Sequence, residues 1–201
     1  MAKLPFSFYQ QDDVNALAIA LLGKRLFTFV DGKLTAGIIV ETEAYKGIED
    51  KASHAYGGRF TDRTKVMYEP GGLSYVYLCY GIHHLFNVVT AAKGTPHAVL
   101  VRGLEPVIGI DVMLERRGME VLKPNLTAGP GALAKAMGID RRLNGLELNG
   151  SEIWIEDAAE DWQPGTVVAS HRIGVGYADD HALLPWRYYL KGNKYVSKPR
   201  T

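Results

Sequence analysis

Ile38-Ile39-Val40-Glu41-Thr42-Glu43-Ala44-Tyr45, and thirty residues on Tyr75-Val76-Tyr77-Leu78-Cys79-Tyr80-Gly81, are the stretches around which the chain is organised. The first reads as a strand. Alternation puts Ala36, Ile38, Val40, Thr42 and Ala44 on one face and Ile39, Glu41, Glu43 and Tyr45 on the other. Two carboxylates and a phenol therefore share one surface. A strand glutamate ordinarily sits on a solvated face, because unpaired carboxylates are seldom buried. Two carboxylates side by side also predict a raised pKa from like-charge proximity. The second stretch is another strand, preceded by Pro70-Gly71-Gly72 and carrying Tyr75, Tyr77 and Tyr80. Between the two lie His54 and a basic, glycine-rich loop, Gly57-Gly58-Arg59-Phe60-Thr61-Asp62-Arg63-Thr64-Lys65. A carboxylate, a flat aromatic wall and a histidine are the parts that hold a planar ring and hydrolyse a bond beside it.

Outward from this centre the pattern stays mixed. Gln11 to Leu22 predicts a helix, capped by Asp12 or Asp13, with Val14, Leu17, Ala18, Leu21 and Leu22 inward and Gly23 ending it. Arg25 to Val30 is a strand, and Asp31-Gly32 turns it back into the Glu43 strand. Residues 46–72 are rich in loops, with a short helix expected from Asp50 to Ala55. Tyr75 to Cys79 and His84 to Thr90 form a hairpin with Tyr80-Gly81-Ile82-His83 at its tip. A strand from His97 to Leu104 carries Arg102 and stops at Pro106. Ile108 to Arg117 reads as a helix closed by Gly118, and Pro130 opens another that ends near Gly138. The glycine before Pro130 offers a possible phosphate cradle, a weak signal by itself. Ile153 to Glu156, Val167 to Ile173 and Trp186 to Leu190 are expected to close the sheet. There is no internal repeat and no linker, so residues 1–201 read as one mixed domain.

The composition bounds the rest. At 201 residues, 47% hydrophobic and 22% charged, the chain fits one globular domain with a sizeable core. No apolar run is long enough to span a bilayer, and Met1-Ala2-Lys3-Leu4-Pro5 lacks an apolar leader, so a cytoplasmic location is expected. A single cysteine, Cys79, rules out an intrachain disulfide and reads as a buried strand residue. A net charge of +1 does not announce a nucleic-acid binder, although binding needs only a local basic surface. Candidates for that surface are Arg59, Arg63 and Lys65, and the tail residues Lys191, Lys194, Lys198 and Arg200. His83 and His84 point to opposite faces of a strand, which defeats chelation by the pair. No metal and no cofactor is expected.

Glu41 to Tyr45, Glu49-Asp50-Lys51-Ala52-Ser53-His54, Gly57-Gly58-Arg59, Tyr75 to Tyr77, Tyr80-Gly81, Asn87 and Arg102 to Pro106 together resemble the alkyladenine (3-methyladenine) DNA glycosylase family. Leu126 to Gly131 and Arg172 to Gly176 extend the likeness in family order over nearly the whole chain. The resemblance implies an α+β fold: a curved, mainly antiparallel sheet surrounded by helices, with a protruding hairpin. It implies a monofunctional enzyme, active as a monomer on double-stranded DNA in the nucleoid. Such an enzyme flips alkylated or deaminated purines out of the duplex and hydrolyses the N-glycosidic bond.

By resemblance Glu43 is the general base, with Arg102 and the backbone carbonyl of Ile173 holding the water. Tyr45, His54 and Tyr77 sandwich the base, Tyr80 intercalates where the base has left, and Asn87 crowds the 2-amino group of guanine. Residue pattern alone does not separate Glu41 from Glu43. Nor does it decide whether Asn87 gates the pocket or bonds turn backbone, or whether Tyr80 packs back on its sheet. Two other classes compete. A non-enzymatic nucleic-acid-binding module would have no use for Glu43 beside Tyr45 and His54, and a hydrolase of free nucleosides would have none for Tyr80.

Overall fold

The computed structural model describes residues 2–158 and 165–198, so Arg200 of the expected basic tail lies outside the described residues. β1 (Arg25–Val30) and β2 (Lys33–Tyr45) form the hairpin that Asp31-Gly32 predicts. Both turn residues take positive φ, 53° and 72°, as a two-residue loop between right-twisted strands requires. β2 has three neighbours. Its first half pairs β1, Glu41 to Glu43 pair β8 (Arg187–Leu190), and its opposite edge pairs β5 (His97–Ile108) from Ala36 to Tyr45. The sheet continues through β4 (His83–Thr90) to β3 (Ser74–Cys79) on one side and to β6 (Ile153–Glu156) on the other, while β7 (Val167–Ser170) pairs β8. All of these pairings are antiparallel. The fold is α+β.

Among the described residues four short α-helices complete it: α1 (Phe6–Tyr9), α2 (Val14–Ala20), α3 (Ile110–Arg117) and α4 (Pro130–Met137). Of the two aspartates offered as caps, Asp13 takes the position, accepting from the Asn15 and Ala16 amides at 3.0 Å. That choice starts α2 later than Gln11. Val14, Leu17, Ala18, Leu21 and Leu22 are buried as predicted. A hydrogen bond from Thr42 Oγ1 to the Ala18 carbonyl, 2.9 Å, pins α2 to β2. Ile39, Val40, Phe86, Val88, Val99 and Leu104 join Leu133 and Met137 of α4 in the main core. Each such side chain contributes roughly 1.5–3 kcal/mol by leaving water. Gly118 and Gly138 end α3 and α4 at φ of 63° and 71°.

Several expectations are corrected. Asp50 to Ala55 forms turns rather than a helix. Asp50 Oδ1 takes the Ala52 amide at 2.9 Å and Ser53 Oγ the Ala55 amide at 3.2 Å, and such side-chain bonds compete with helical ones. Pro106 does not stop β5, which runs to Ile108; a register shift between Ala36 and Gly37 accommodates it. Helix α3 consequently begins at Ile110. β4 already includes His83, shortening the hairpin loop to Tyr80-Gly81-Ile82. β7 ends at Ser170, because Arg172 turns inward, and β8 starts at Arg187. Cys79 is half-buried rather than buried. No helix among the described residues is long and apolar enough to cross a membrane.

Candidate active site

Glu41 and Glu43 lie two residues apart on β2, and both are 0% exposed. They are not on a solvated face. Arg102 reaches across from β5, placing Nε 3.0 Å from Glu41 Oε1 and Nη1 3.3 Å from Glu43 Oε2. One guanidinium thus bridges both carboxylates, and they share a face as the alternation predicts, although the β2–β5 register slips on each side of Glu41. Burial works against the charge of Arg102, but Glu43 and then Glu41 hold its pKa above the ordinary value.

The two carboxylates differ in what surrounds them. Glu41 also accepts from Arg187 Nε at 2.7 Å, Ser197 Oγ at 2.8 Å and the Ser197 amide at 2.7 Å. Burial pushes its pKa up, but Arg102, the Ser197 amide and Arg187 together bring it below the usual carboxylate value. The expected like-charge rise is therefore overturned at Glu41 by two arginines. Gly103 sits so close that an added Cβ would meet the Tyr195 carbonyl at 2.7 Å and Glu41 Oε2 at 3.2 Å. Glu43 instead accepts from the Tyr45 hydroxyl at 2.9 Å and the Ile173 amide at 2.7 Å. With the Arg102 bond these engage three of the roughly four acceptor positions of a carboxylate, leaving one on Oε1. Ile173 reaches Glu43 through its N–H; its carbonyl, to which the resemblance assigns the water, is a separate group of the same residue. Tyr45, Arg102 and Ile173 all line a cleft of ≈ 430 Å³, within the range of small-ligand sites. Glu43 is bonded to the wall of that cleft, while the other partners of Glu41, Arg187 and Ser197, lie outside its lining.

Behind the cleft is an inner pocket lined by Tyr45, His54, Met67, Tyr75, Tyr77, Asn87 and Ala98, and the two share Tyr45, His54, Tyr77 and Tyr177. Burial raises the pKa of Tyr45 and of Tyr77, so both phenols are neutral. His54 packs edge-on against Tyr77, with centroids 4.6 Å apart. Its Nε2 lies 3.0 Å from Arg63 Nη2 and its Nδ1 2.7 Å from the Tyr75 hydroxyl. A guanidinium can only donate, so Nε2 accepts and the proton sits on Nδ1. Burial, then Arg63 and Arg59, lowers the pKa of His54 to about 4, which fixes a neutral ring.

Asn87 is buried and donates from Nδ2 to the carbonyl of its cross-strand partner Tyr75 at 3.1 Å while lining the inner pocket. Both readings left open for it have a counterpart in this position, except that the backbone it bonds belongs to a strand, not a turn.

Tyr80 is 88% exposed at the hairpin tip, so it does not pack back on its sheet. It takes φ 51° and Gly81 takes 74°, and the Ile82 amide closes the turn on Cys79 at 3.2 Å. Two positive φ values in a tight hairpin turn favour glycine, asparagine or aspartate. A tyrosine there costs on the order of 1–2 kcal/mol in backbone strain, and burial returns nothing for it.

Three contributors escape sequence pattern. Arg172 stacks its guanidinium 4.8 Å from the Tyr45 centroid and 5.2 Å from Trp186, and it is held by Asp50 at 2.5 and 2.9 Å. That buried ion pair fixes Tyr45 from behind. Tyr177, 67% exposed, lines both pocket and cleft, with its hydroxyl donating to the Ala52 carbonyl at 3.1 Å. Arg63, singled out only as surface charge, lies over Tyr77 with 4.7 Å between its guanidinium carbon and the ring centroid. At the start of α4 the Gly129 amide is already engaged, donating to the Arg102 carbonyl at 2.9 Å.

Residues 7–194 match the family model described as Methylpurine-DNA glycosylase (MPG). Among curated relatives, one from Bacillus cereus (strain G9842) is 47% identical, with 98% of this chain and 99% of the relative covered. One from Clostridium acetobutylicum is 45% identical over 97% of each chain. One from Chlamydia felis is 46% identical over 95% of this chain and 97% of its own. All three are named, provisionally, as 3-methyladenine DNA glycosylases. The chain therefore belongs to the methylpurine-DNA glycosylase family and is a DNA glycosylase, a hydrolase of base excision repair.

Proposed function

We propose that the cleft receives a damaged purine turned out of double-stranded DNA, and that Glu43 activates a water to hydrolyse its N-glycosidic bond. The observation that carries this reading is the placement of Glu43. It is a fully buried carboxylate whose three partners, Tyr45, Arg102 and Ile173, all line an aromatic cleft. A water donating to the remaining position on Oε1 gives up its proton there as its oxygen attacks the anomeric carbon. The purine leaves with the bonding electron pair. Arg102 holds the Glu43 carboxylate in place through its 3.3 Å bond, and with the Ile173 carbonyl it positions the water. Among the described residues no lysine lines the pocket or the cleft, and the reaction we propose uses water rather than an amine, leaving a plain abasic site. The chemistry calls for no cofactor.

Tyr45 stacks on one face of the base, with His54 and Tyr77 on the other. Cationic 3-methyladenine and 7-methylguanine gain from tyrosine faces by cation–π attraction, about 0.5–2 kcal/mol. Neutral hypoxanthine and ethenoadenine share the same slot by stacking. Damaged bases are also the easier ones to unstack. Tyr80, rigid and exposed, fills the gap left in the duplex. Asn87, at the inner end, excludes the 2-amino group of normal guanine. The protein works as a single-domain monomer in the cytoplasm, at the nucleoid.

The test is incubation with methylated duplex DNA and, in parallel, with the methylated nucleosides. Free base and abasic sites from the duplex, with nucleosides left intact, are expected. Release from nucleosides alone would identify a nucleoside hydrolase, and tight binding without release a binding module. Either result overturns the proposal.

A further inference from the structure

Each of the two tyrosines that wall the base site already carries an arginine on its ring, and the two arginines differ in one respect. Arg172, over Tyr45, is bonded twice to Asp50, both side chains being fully buried. That wall is backed by a neutral ion pair. Arg63, over Tyr77, has no carboxylate within ion-pair distance among the described residues. The acid beside it in sequence, Asp62, pairs instead with Lys65 at 3.2 Å. The hydrogen bond from Arg63 goes to neutral His54. An uncompensated cation therefore rests on the ring that would otherwise attract a cationic base.

We propose that Arg63 is a specificity-determining residue that biases the site toward neutral purines bearing an O6/N7 acceptor edge, at the expense of cationic N-methylpurines. The proposal rests on the base-binding reading above. The geometry supplies two reasons. A guanidinium stacked 4.7 Å from the Tyr77 centroid uses the cation–π capacity of that ring and repels a second cation beside it. Its five N–H groups accept nothing, so it complements a base edge that accepts, such as the carbonyl and N7 of hypoxanthine. The low pKa of His54, to which Arg63 contributes after burial, reflects the same local positive potential.

Two variants separate charge from shape. Arg63→Gln retains an N–H donor for His54 Nε2 and loses the charge, whereas Arg63→Lys keeps the charge without the planar stack. Single-turnover release of 7-methylguanine and of hypoxanthine is measured from matched duplexes at one salt concentration. The ratio of methylguanine to hypoxanthine release should rise roughly tenfold in the Gln variant, about the size of one cation–π contact. In the Lys variant it should stay near the wild-type ratio. An unchanged ratio in the Gln variant, with both rates falling together, would make Arg63 a structural or phosphate-binding residue and overturn the proposal. Equal shifts in both variants would also overturn it. If the wild-type protein releases neither base from duplex DNA, the underlying functional reading fails instead.

Discussion

Replacing Glu41 by Gln should damage stability far more than the loss of one carboxylate suggests. Glu41 is 0% exposed and accepts four bonds, from Arg102, Arg187 and twice from Ser197. A glutamine keeps one acceptor oxygen but turns an NH₂ group toward donors. It also leaves the buried Arg187, with the Ser197 carbonyl at 3.1 Å, facing a neutral group. Removing one partner from a buried ion pair costs about 3–5 kcal/mol, because the remaining charge stays desolvated. At this chain length each kcal/mol moves the melting midpoint by about 2–4 °C, so the midpoint should fall by about 6–20 °C. The pH dependence has a definite sign. The pKa of Glu41 is lowered in the folded state, so its contribution is full above the ordinary carboxylate pKa and fades as pH falls through the folded value. The gap between wild type and variant should therefore be widest near neutral pH and close in acid. Thermal unfolding followed by circular dichroism from pH 3 to 8 measures both. A midpoint within about 2 °C of wild type at neutral pH would refute the reasoning, as would a gap that widens in acid.

Tyr80→Ser should slow base release from fully paired lesions more than from mismatched or single-stranded ones, which are cheaper to unstack; equal defects in single-turnover assays would contradict a wedge. Asn87→Ser should raise excision of guanine-type bases with adenine-type release little changed, since removing an obstruction broadens specificity. A uniform decline on all bases with a lower melting midpoint would assign Asn87 to its bond with the Tyr75 carbonyl alone.

The parts legible in the sequence are those set by short-range periodicity. Alternation along β2 placed Glu41 and Glu43 on one side, and the shared contact with Arg102 is consistent with that. Asp31-Gly32, Pro130 and Gly138 marked a turn and two helix boundaries through their own backbone limits. Pro106 misled because the ladder bond it cannot make is absorbed by a bulge that only the partner strand reveals. Asp50 to Ala55 misled because Asp50 and Ser53 spend their side chains on nearby amides. What local pattern could not reach was pairing between distant segments. Asp50 meets Arg172 across 122 positions, and Tyr177 closes a pocket begun at Tyr45. Glu41 and Glu43 also look alike in sequence. Only Ser197 and Arg187, more than 140 residues away, distinguish the saturated carboxylate from the one bonded to the cleft wall.

The most direct test of the account is Glu43→Gln, assayed by single-turnover release of 3-methyladenine from duplex DNA beside binding to a duplex carrying an abasic analogue. A general base supplies about 10²–10⁴-fold. The account predicts a loss of that size, with analogue binding preserved and with Glu41→Gln, assayed well below its melting midpoint, losing much less. Release within a few-fold of wild type, or a Glu41 variant that is the inactive one, would contradict it.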